Sequence, residues 1–455
     1  MTHLQTRNIF FKILFISAFL LVPAFAFSTP EVMEKAGDWM RGYTIAKEVF
    51  SLISRTGINE GTGIGNEQPK PVLIEKAHTF IFGFSDVQGK LAFAGYDRQG
   101  STVSPFAFFD GKYFPQRSLP VSVGSEVAFI IRKGDSNVVS IGDKEVYREI
   151  RNMPVISTSA TSLIGVGNEL AILIQENQPG KGISFFVLFQ GKEGPRFPSI
   201  DRLAAVGGKP AFVGSLSGPG YRVVHGDVPG KQYSFIYGNL LEVNGKLAYG
   251  AGIGQKQIVV YGGVEYGADY EYAIKPIAVG NSLVFLAKKS GQMSRFFVVD
   301  GVAQAMPYES PYEDYLDIGG KLAFTASKKK ASGNGYSRVV VWGSEDFGEE
   351  YQDAYGPFDA EGKLGFVAQQ GNSIILVVDG KEIPTQAEAV NKVGWPTSIN
   401  GKIAYVLFKD KGMAMVYGGF EGKTYDYVSP PKNIGGKLAY LARGGQDNNV
   451  LVYET

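Results

Sequence analysis

The chain has 455 residues, of which 44% are hydrophobic and 20% charged, close to the average for globular domains, and this composition excludes global disorder. A formal net charge of +1 gives no electrostatic footprint for nucleic acid. The absence of cysteine excludes disulfides, thiolate metal ligands, a nucleophilic thiol and a lipid-modified cysteine.

The first 26 residues have the pattern of a secretory signal. Arg7 and Lys12 form a basic n-region, Ile13 to Val22 an apolar stretch, and Ala24-Phe25-Ala26 the small-x-small pattern that a signal peptidase requires. Ile13 to Phe27 contains Pro23 and is shorter than the ~20 residues of a spanning helix. The mature chain is expected to begin near Phe27 in an extracytoplasmic setting (periplasmic, cell-surface or secreted), with 43 basic against 44 acidic residues.

Within 27–55, Thr29 suits a helix cap and Pro30 a first helical position. Apolar residues from Val32 through Trp39 and Tyr43 to Ile53 recur at roughly helical spacing, interrupted by Gly37 and Gly42. The glycine-rich stretch 56–70 predicts a linker.

From residue 71 a motif recurs to the end of the chain. Its clearest copies are Gly89-Lys90-Leu91-Ala92-Phe93, Gly245-Lys246-Leu247-Ala248-Tyr249, Gly320-Lys321-Leu322-Ala323-Phe324, Gly401-Lys402-Ile403-Ala404-Tyr405 and Gly436-Lys437-Leu438-Ala439-Tyr440. Degenerate copies centre on Val127, Leu170, Pro210, Leu283 and Leu364, and the ten equivalent positions are spaced by 36, 43, 40, 37, 36, 39, 42, 39 and 35 residues. That period approaches the ~40–45 residues of a four-stranded propeller blade. Each period also carries an apolar run closed by Asp-Gly or Gly-Gly, as at Val299-Asp300-Gly301, which predicts a hairpin turn.

One repeat therefore reads as strands a to d, with tight a–b and c–d turns at one end and variable b–c and d–a connections at the other. Strand d carries a tyrosine at Tyr147, Tyr233, Tyr351 and Tyr425. Runs such as Leu438-Ala439-Tyr440-Leu441-Ala442 are apolar on both faces, as in blades stacked around an axis. The expected fold is an all-β propeller of about ten four-stranded repeats, as one wide ring or two smaller rings, preceded by a short helix. The final repeat lacks a strand d, and Val72-Leu73-Ile74 is expected to complete it.

The run from Phe358 to Phe366 and the Gly-Lys-Leu-Ala-Tyr copies resemble the strand-turn-strand core of WD40-like propeller repeats of the TolB type, over roughly Pro71 to Thr455. The Ser-Pro-Asp usual before Gly-Lys is replaced by Ile-Gly-Gly or Val-Asn-Gly, and a looser similarity to WG-type repeats exists. Both resemblances imply binding or scaffolding more often than catalysis, and neither transfers a functional residue.

Tyrosines interleaved with carboxylates gather in the d–a segments. Tyr270 and Glu271; Tyr312, Glu313 and Asp314; and Tyr351, Asp353 and Tyr355 are the candidate ligand residues, supplying aromatic faces beside acceptors for a sugar, a cationic ligand or a basic peptide. The alternative is tyrosines packed between blades and acids left in solvent. No catalytic residue, metal ligand or cofactor is nominated: only His78 and His225 follow the signal, and no Gly-x-Ser-x-Gly elbow or calcium loop occurs. The expected function is recognition of a protein, peptide or glycan through the b–c and d–a face. Carbohydrate chemistry by paired carboxylates there, or a structural role in the cell envelope, are the alternatives.

Overall fold

A computed structural model describes residues 80–454, apart from 100–101, 116–117, 135, 149–162, 179, 181, 331–334, 386, 388, 390–391 and 445–447. All belong to the compact unit Ile64–Thr455. The expected signal, helix, linker and Val72-Leu73-Ile74 strand lie outside the described residues.

The described residues form ten antiparallel blades, at 80–115, 121–148, 163–193, 200–233, 235–266, 272–303, 310–347, 353–384, 393–425 and 427–453. Each of the first nine has strands a to d in meander order, and the tenth has a, b and c. Blades 5 and 6 are joined by one parallel bridge, Gln257 to Tyr272. The turns follow from paired left-handed residues: Asp379 (φ 50°) with Gly380 (φ 73°) closes a c–d hairpin, and Asn400 (φ 51°) with Gly401 (φ 72°) an a–b hairpin.

Burial assigns the strands their places. Strand b of blade 9, Lys402–Lys409, is buried over its centre on both faces, whereas strand d of blade 4, Val228–Tyr233, is exposed until its last residue. First strands of consecutive blades touch one another, so a is the inner strand and d the outer one.

The core is a series of interfaces between neighbours. Val206, Ala211 and Val213 of blade 4 pack on Tyr249, Ile258 and Val260 of blade 5, and equivalent clusters continue to blades 9 and 10. Phe109 and Phe114 of blade 1 reach Phe129 of blade 2, with centroids 6.4 and 5.5 Å apart. Phe84, Phe93 and Phe106 of blade 1 pack on Ile434, Ala439 and Leu451 of blade 10, where Lys432 donates to the Phe84 carbonyl at 3.1 Å. The ten blades thus close as one ring, which decides between the two arrangements left open by the repeat count.

The abundance of both glycine and aromatic residues has a shared cause. At Gly214, Gly250 and Gly365 an added Cβ would lie 2.2–2.4 Å from the ring of Phe197, Tyr237 or Phe358 respectively, so the ring takes the place that a side chain would fill.

A longer period overlies the single blade. The first left-handed residue of the c–d turn is Asp or Gln in blades 1, 3, 6 and 8 (Asp110, Gln190, Asp300, Asp379) and Gly in blades 2, 4, 5, 7 and 9 (Gly142, Gly226, Gly262, Gly343, Gly418), an order that repeats after five blades. Blades 4 and 9 also share a slipped c–d register and a glycine with φ near 119° or 116° at the start of c, Gly220 and Gly412.

Gly365→Ala is expected to cost about 1–3 kcal/mol of stability by overpacking against Phe358. Denaturant unfolding of Gly365→Ala, Phe358→Leu and the double variant should show the double losing less than the sum of the singles.

Candidate functional site

The connections that carry the candidate residues are shorter than the sequence suggests. Tyr312 and Asp314 sit beside the two halves of strand a of blade 7, Ser310–Pro311 and Leu316–Ile318, while Asp353 and Tyr355 begin strand a of blade 8, Asp353–Asp359. Tyr351 lies between strands d and a rather than on d, where Tyr147, Tyr233 and Tyr425 are found.

Four of the eight candidates converge between blades 7 and 8. The Arg338 guanidinium lies 5.4 Å from the Tyr312 ring centre and 5.6 Å from that of Tyr355, and pairs with Asp353 Oδ2 at 3.1 Å. Burial pushes the Tyr355 phenol above its ordinary value, with the Asp353 charge adding to the effect. Its hydroxyl is buried and has no hydrogen-bond partner among the described residues. Asp314 works beside them as a clasp: it accepts from the Thr325 amide at 3.2 Å and hydroxyl at 2.5 Å, and from the Gly356 amide of blade 8 at 3.3 Å.

The other four are dispersed. Tyr270 packs edge-on against Phe296 at 5.3 Å, and Glu271 pairs with Lys288 at 2.9 Å. Glu313 pairs with Arg295 at 3.0 Å, and Tyr351 donates to Glu382 at 2.9 Å on the outer strand of blade 8. Lys328, on strand b of blade 7, pairs with Asp346 at 3.0 Å and Glu349 at 2.8 Å.

These contacts follow from slips in the inner strands. In blades 4, 5, 6, 8 and 9 the a–b register shifts once, and within the shift sits a left-handed residue: Arg202, Gly238, Lys275, Gly356 or Trp395. The slip frees backbone groups, and side chains from the adjoining blade satisfy them. Arg202 donates to the Ile236 and Gly238 carbonyls at 2.9 and 3.2 Å, Tyr237 to Ala273 at 2.6 Å, and Tyr315 to Ile274 at 3.0 Å and to Lys275. Burial pushes the Tyr315 phenol far above its ordinary value and holds the Lys275 ammonium below its own, with Asp314 and Glu313 opposing the latter.

His225 also serves packing, its Nε2 lying 2.9 Å from the Val206 carbonyl; His78 lies outside the described residues. Among the described residues no group of three or more His, Asp or Glu side chains could hold a metal. A shallow cavity of about 400 Å³ opens on the outer rim between blades 4 and 5. There Glu265 accepts from Tyr233 at 2.9 Å and pairs with Lys231 at 2.7 Å, while burial pushes Tyr249 up to about 12.

Sequence reasoning passed over a second set of side chains. Phe80, Ile183, Tyr221, Ile253, Met293, Tyr336 and Tyr427 are large, apolar and exposed. Each lies at the start of a, the end of b, the b–c connection or the start of c, and so at the loop end of its blade. Met293 is 94% exposed and Tyr336 54%. Their signal was apolar residues flanking the b–c connections, where a soluble loop favours polar ones.

The sequence matches no known family model and no curated protein. Among solved structures, the β-propeller domain of the trilobed protease from Pyrococcus furiosus is similar at 11% identity, over 76% of this chain and 96% of that one, with a TM-score of 0.31. The acylaminoacyl peptidase of Pyrococcus horikoshii is similar at 11% identity and a TM-score of 0.31 over 64% of this chain, which spans 57% of the peptidase's length. A Trypanosoma rangeli sialidase is similar at 11% identity and a TM-score of 0.20, over 81% of this chain and 53% of that one. Likeness at this level concerns fold alone.

Tyr315→Phe is expected to cost about 1–3 kcal/mol, because two inner-strand carbonyls lose their donor. Chemical denaturation of the variant measures it. Burial places Tyr249, Tyr308 and Tyr351 at about 12, above the ordinary 10.0. The unfolded chain therefore loses these phenolic protons first, so their contribution is intact below pH 10 and is lost as pH rises from 10 toward 12. Thermal melts should show that decline, with tyrosinate absorbance rising together with unfolding.

Proposed function

We propose that the protein is a non-enzymatic binding scaffold that recognises a protein or peptide partner on the loop end of its ring. The observation that carries this reading is the set of exposed apolar side chains there, from seven different blades. Aromatic and methionine side chains are enriched in interface cores, and most of the exposed side chains at the loop end are of these types. The resemblance to WD40-like, TolB-type repeats supports the same reading. The N-terminal pattern of Arg7, Lys12 and Ala24-Phe25-Ala26 supports its operation outside the cytoplasm.

Carbohydrate-active chemistry at the candidate residues is less well served. Glu271, Glu313 and Asp353 each pair with a cation, and Asp314 is occupied as an inter-blade clasp, so no two of them stand opposed as free acid and base.

The reading is tested by panning a displayed random-peptide library against the immobilised protein. The triple variant Tyr221→Ser, Met293→Ser, Tyr336→Ser should bind the selected peptides at least about ten-fold more weakly, since a few anchors dominate such surfaces. Its melting temperature should match the parent, because the three side chains are exposed. Unchanged affinity, or loss instead on Val228→Ser and Val264→Ser at the tight-turn end, would refute it.

A further inference from the structure

The five left-handed inner-strand positions are equivalent in backbone but not in what their side chains do. Gly238 and Gly356 meet the conformation without strain, and a Cβ added at Gly238 would have nothing within 4 Å, so this position opens onto free space. Arg202 and Lys275 are strained, but each reaches the next blade: Arg202 to two carbonyls, and Lys275 to the Glu313 carbonyl and to the Tyr315 ring at 4.5 Å. Both exchange strain for an inter-blade latch.

Trp395 does neither. Its φ is 48°, a true outlier for a bulky residue, and it precedes Pro396, which narrows the local backbone further. The residue is 47% exposed, and its indole N–H makes no hydrogen bond among the described residues, whereas that of Trp342 donates to the Ile318 carbonyl at 3.0 Å. The ring contact it makes is with Phe408, at 5.6 Å and 58°. A strained residue that contributes no latch and holds a large apolar face in water is a candidate functional position.

Phe408 also lines a cavity of about 290 Å³ with Ala387, Lys392, Leu407, Lys409, Asp410 and Glu421. The polar groups there are matched in charge: Lys392 pairs with Asp410 at 2.9 Å, and Lys409 pairs with Glu421. Two cations balanced by two carboxylates do not select an ion of either sign. They do present donors and acceptors side by side, which suits hydroxyl groups. The volume falls at the lower edge of the roughly 300–1,000 Å³ typical of small-molecule sites and suits a single compact ring.

We propose that Trp395, with the Phe408-walled cavity beside it, is a binding site for a neutral sugar chain. One pyranose lays its C–H face on the exposed indole, and the indole N–H is free for a ring hydroxyl. An adjoining residue of the chain enters the cavity and exchanges hydroxyl hydrogen bonds with Lys392, Asp410, Lys409 and Glu421. The site lies at the loop end of blade 9, where Lys409 ends strand b and Asp410 follows it, but it is separable from the peptide-binding reading because none of its residues belongs to the exposed apolar set named there.

The test is isothermal titration of the full chain with a panel of neutral gluco-, manno-, xylo- and chito-oligosaccharides, with oligogalacturonate as the anionic control. At least one neutral oligosaccharide should bind with a dissociation constant below about 1 mM, corresponding to roughly 4 kcal/mol of binding free energy. Trp395→Gly should weaken that binding at least ten-fold while melting no lower than the parent, because glycine relieves the left-handed strain. Asp410→Asn, at a side chain 96% exposed, should weaken it several-fold with no effect on melting. Failure of every neutral oligosaccharide to bind, binding confined to oligogalacturonate, or binding that survives Trp395→Gly within two-fold would each overturn the proposal. A lowered melting temperature for Trp395→Gly would show that the indole serves packing and would overturn it equally.

Discussion

No blade of this protein has a dry side of its own. Strands b and c are apolar on both faces, so each sheet becomes stable only when a neighbour covers each face, and the same demand passes to the neighbour. In an open stack the two end blades would each leave one such face in water. Closure removes both faces at once, which is why the contact between blades 10 and 1, through Phe84, Phe93, Ile434 and Leu451, matters as much as any other. Packing, not strand pairing, carries that contact among the described residues.

Much of this was legible in the sequence because it is local. The Lys-Leu-Ala positions and Asp-Gly turns are written in short windows, and all ten motif centres from Leu91 to Leu438 fall on second strands. The number of rings was not legible, since one ring of ten and two of five share the same repeats and turns. They differ in which blade Ile434 and Leu451 touch, and that is a contact across almost the whole described chain.

The candidate residues divide along the same line. Tyrosines and acids at the d–a boundary lie beside or at the start of the first strands of blades 7 and 8. Their surroundings depend on inner-strand slips that no short window displays. Asp314 and Tyr315, between the two halves of strand a in blade 7, meet the Gly356 amide and the Ile274 carbonyl at the slips of blades 8 and 6. The residues that looked most like a site are largely what joins the blades together. The exposed residues on the loop end were overlooked because single apolar side chains carry no pattern until the topology brings them to one surface.

The slipped inner strand has a consequence for how such a ring can diversify. At this place in five of the blades the backbone turns left-handed, and the side chain there serves what it reaches: the next blade for Arg202 and Lys275, solvent for Trp395. Arginine, lysine, tryptophan and glycine have all been accommodated there in the same chain. The inner wall can therefore be rewritten one position at a time, with the ten-blade frame held constant, much as loops are varied on an antibody framework but from the inside of the ring.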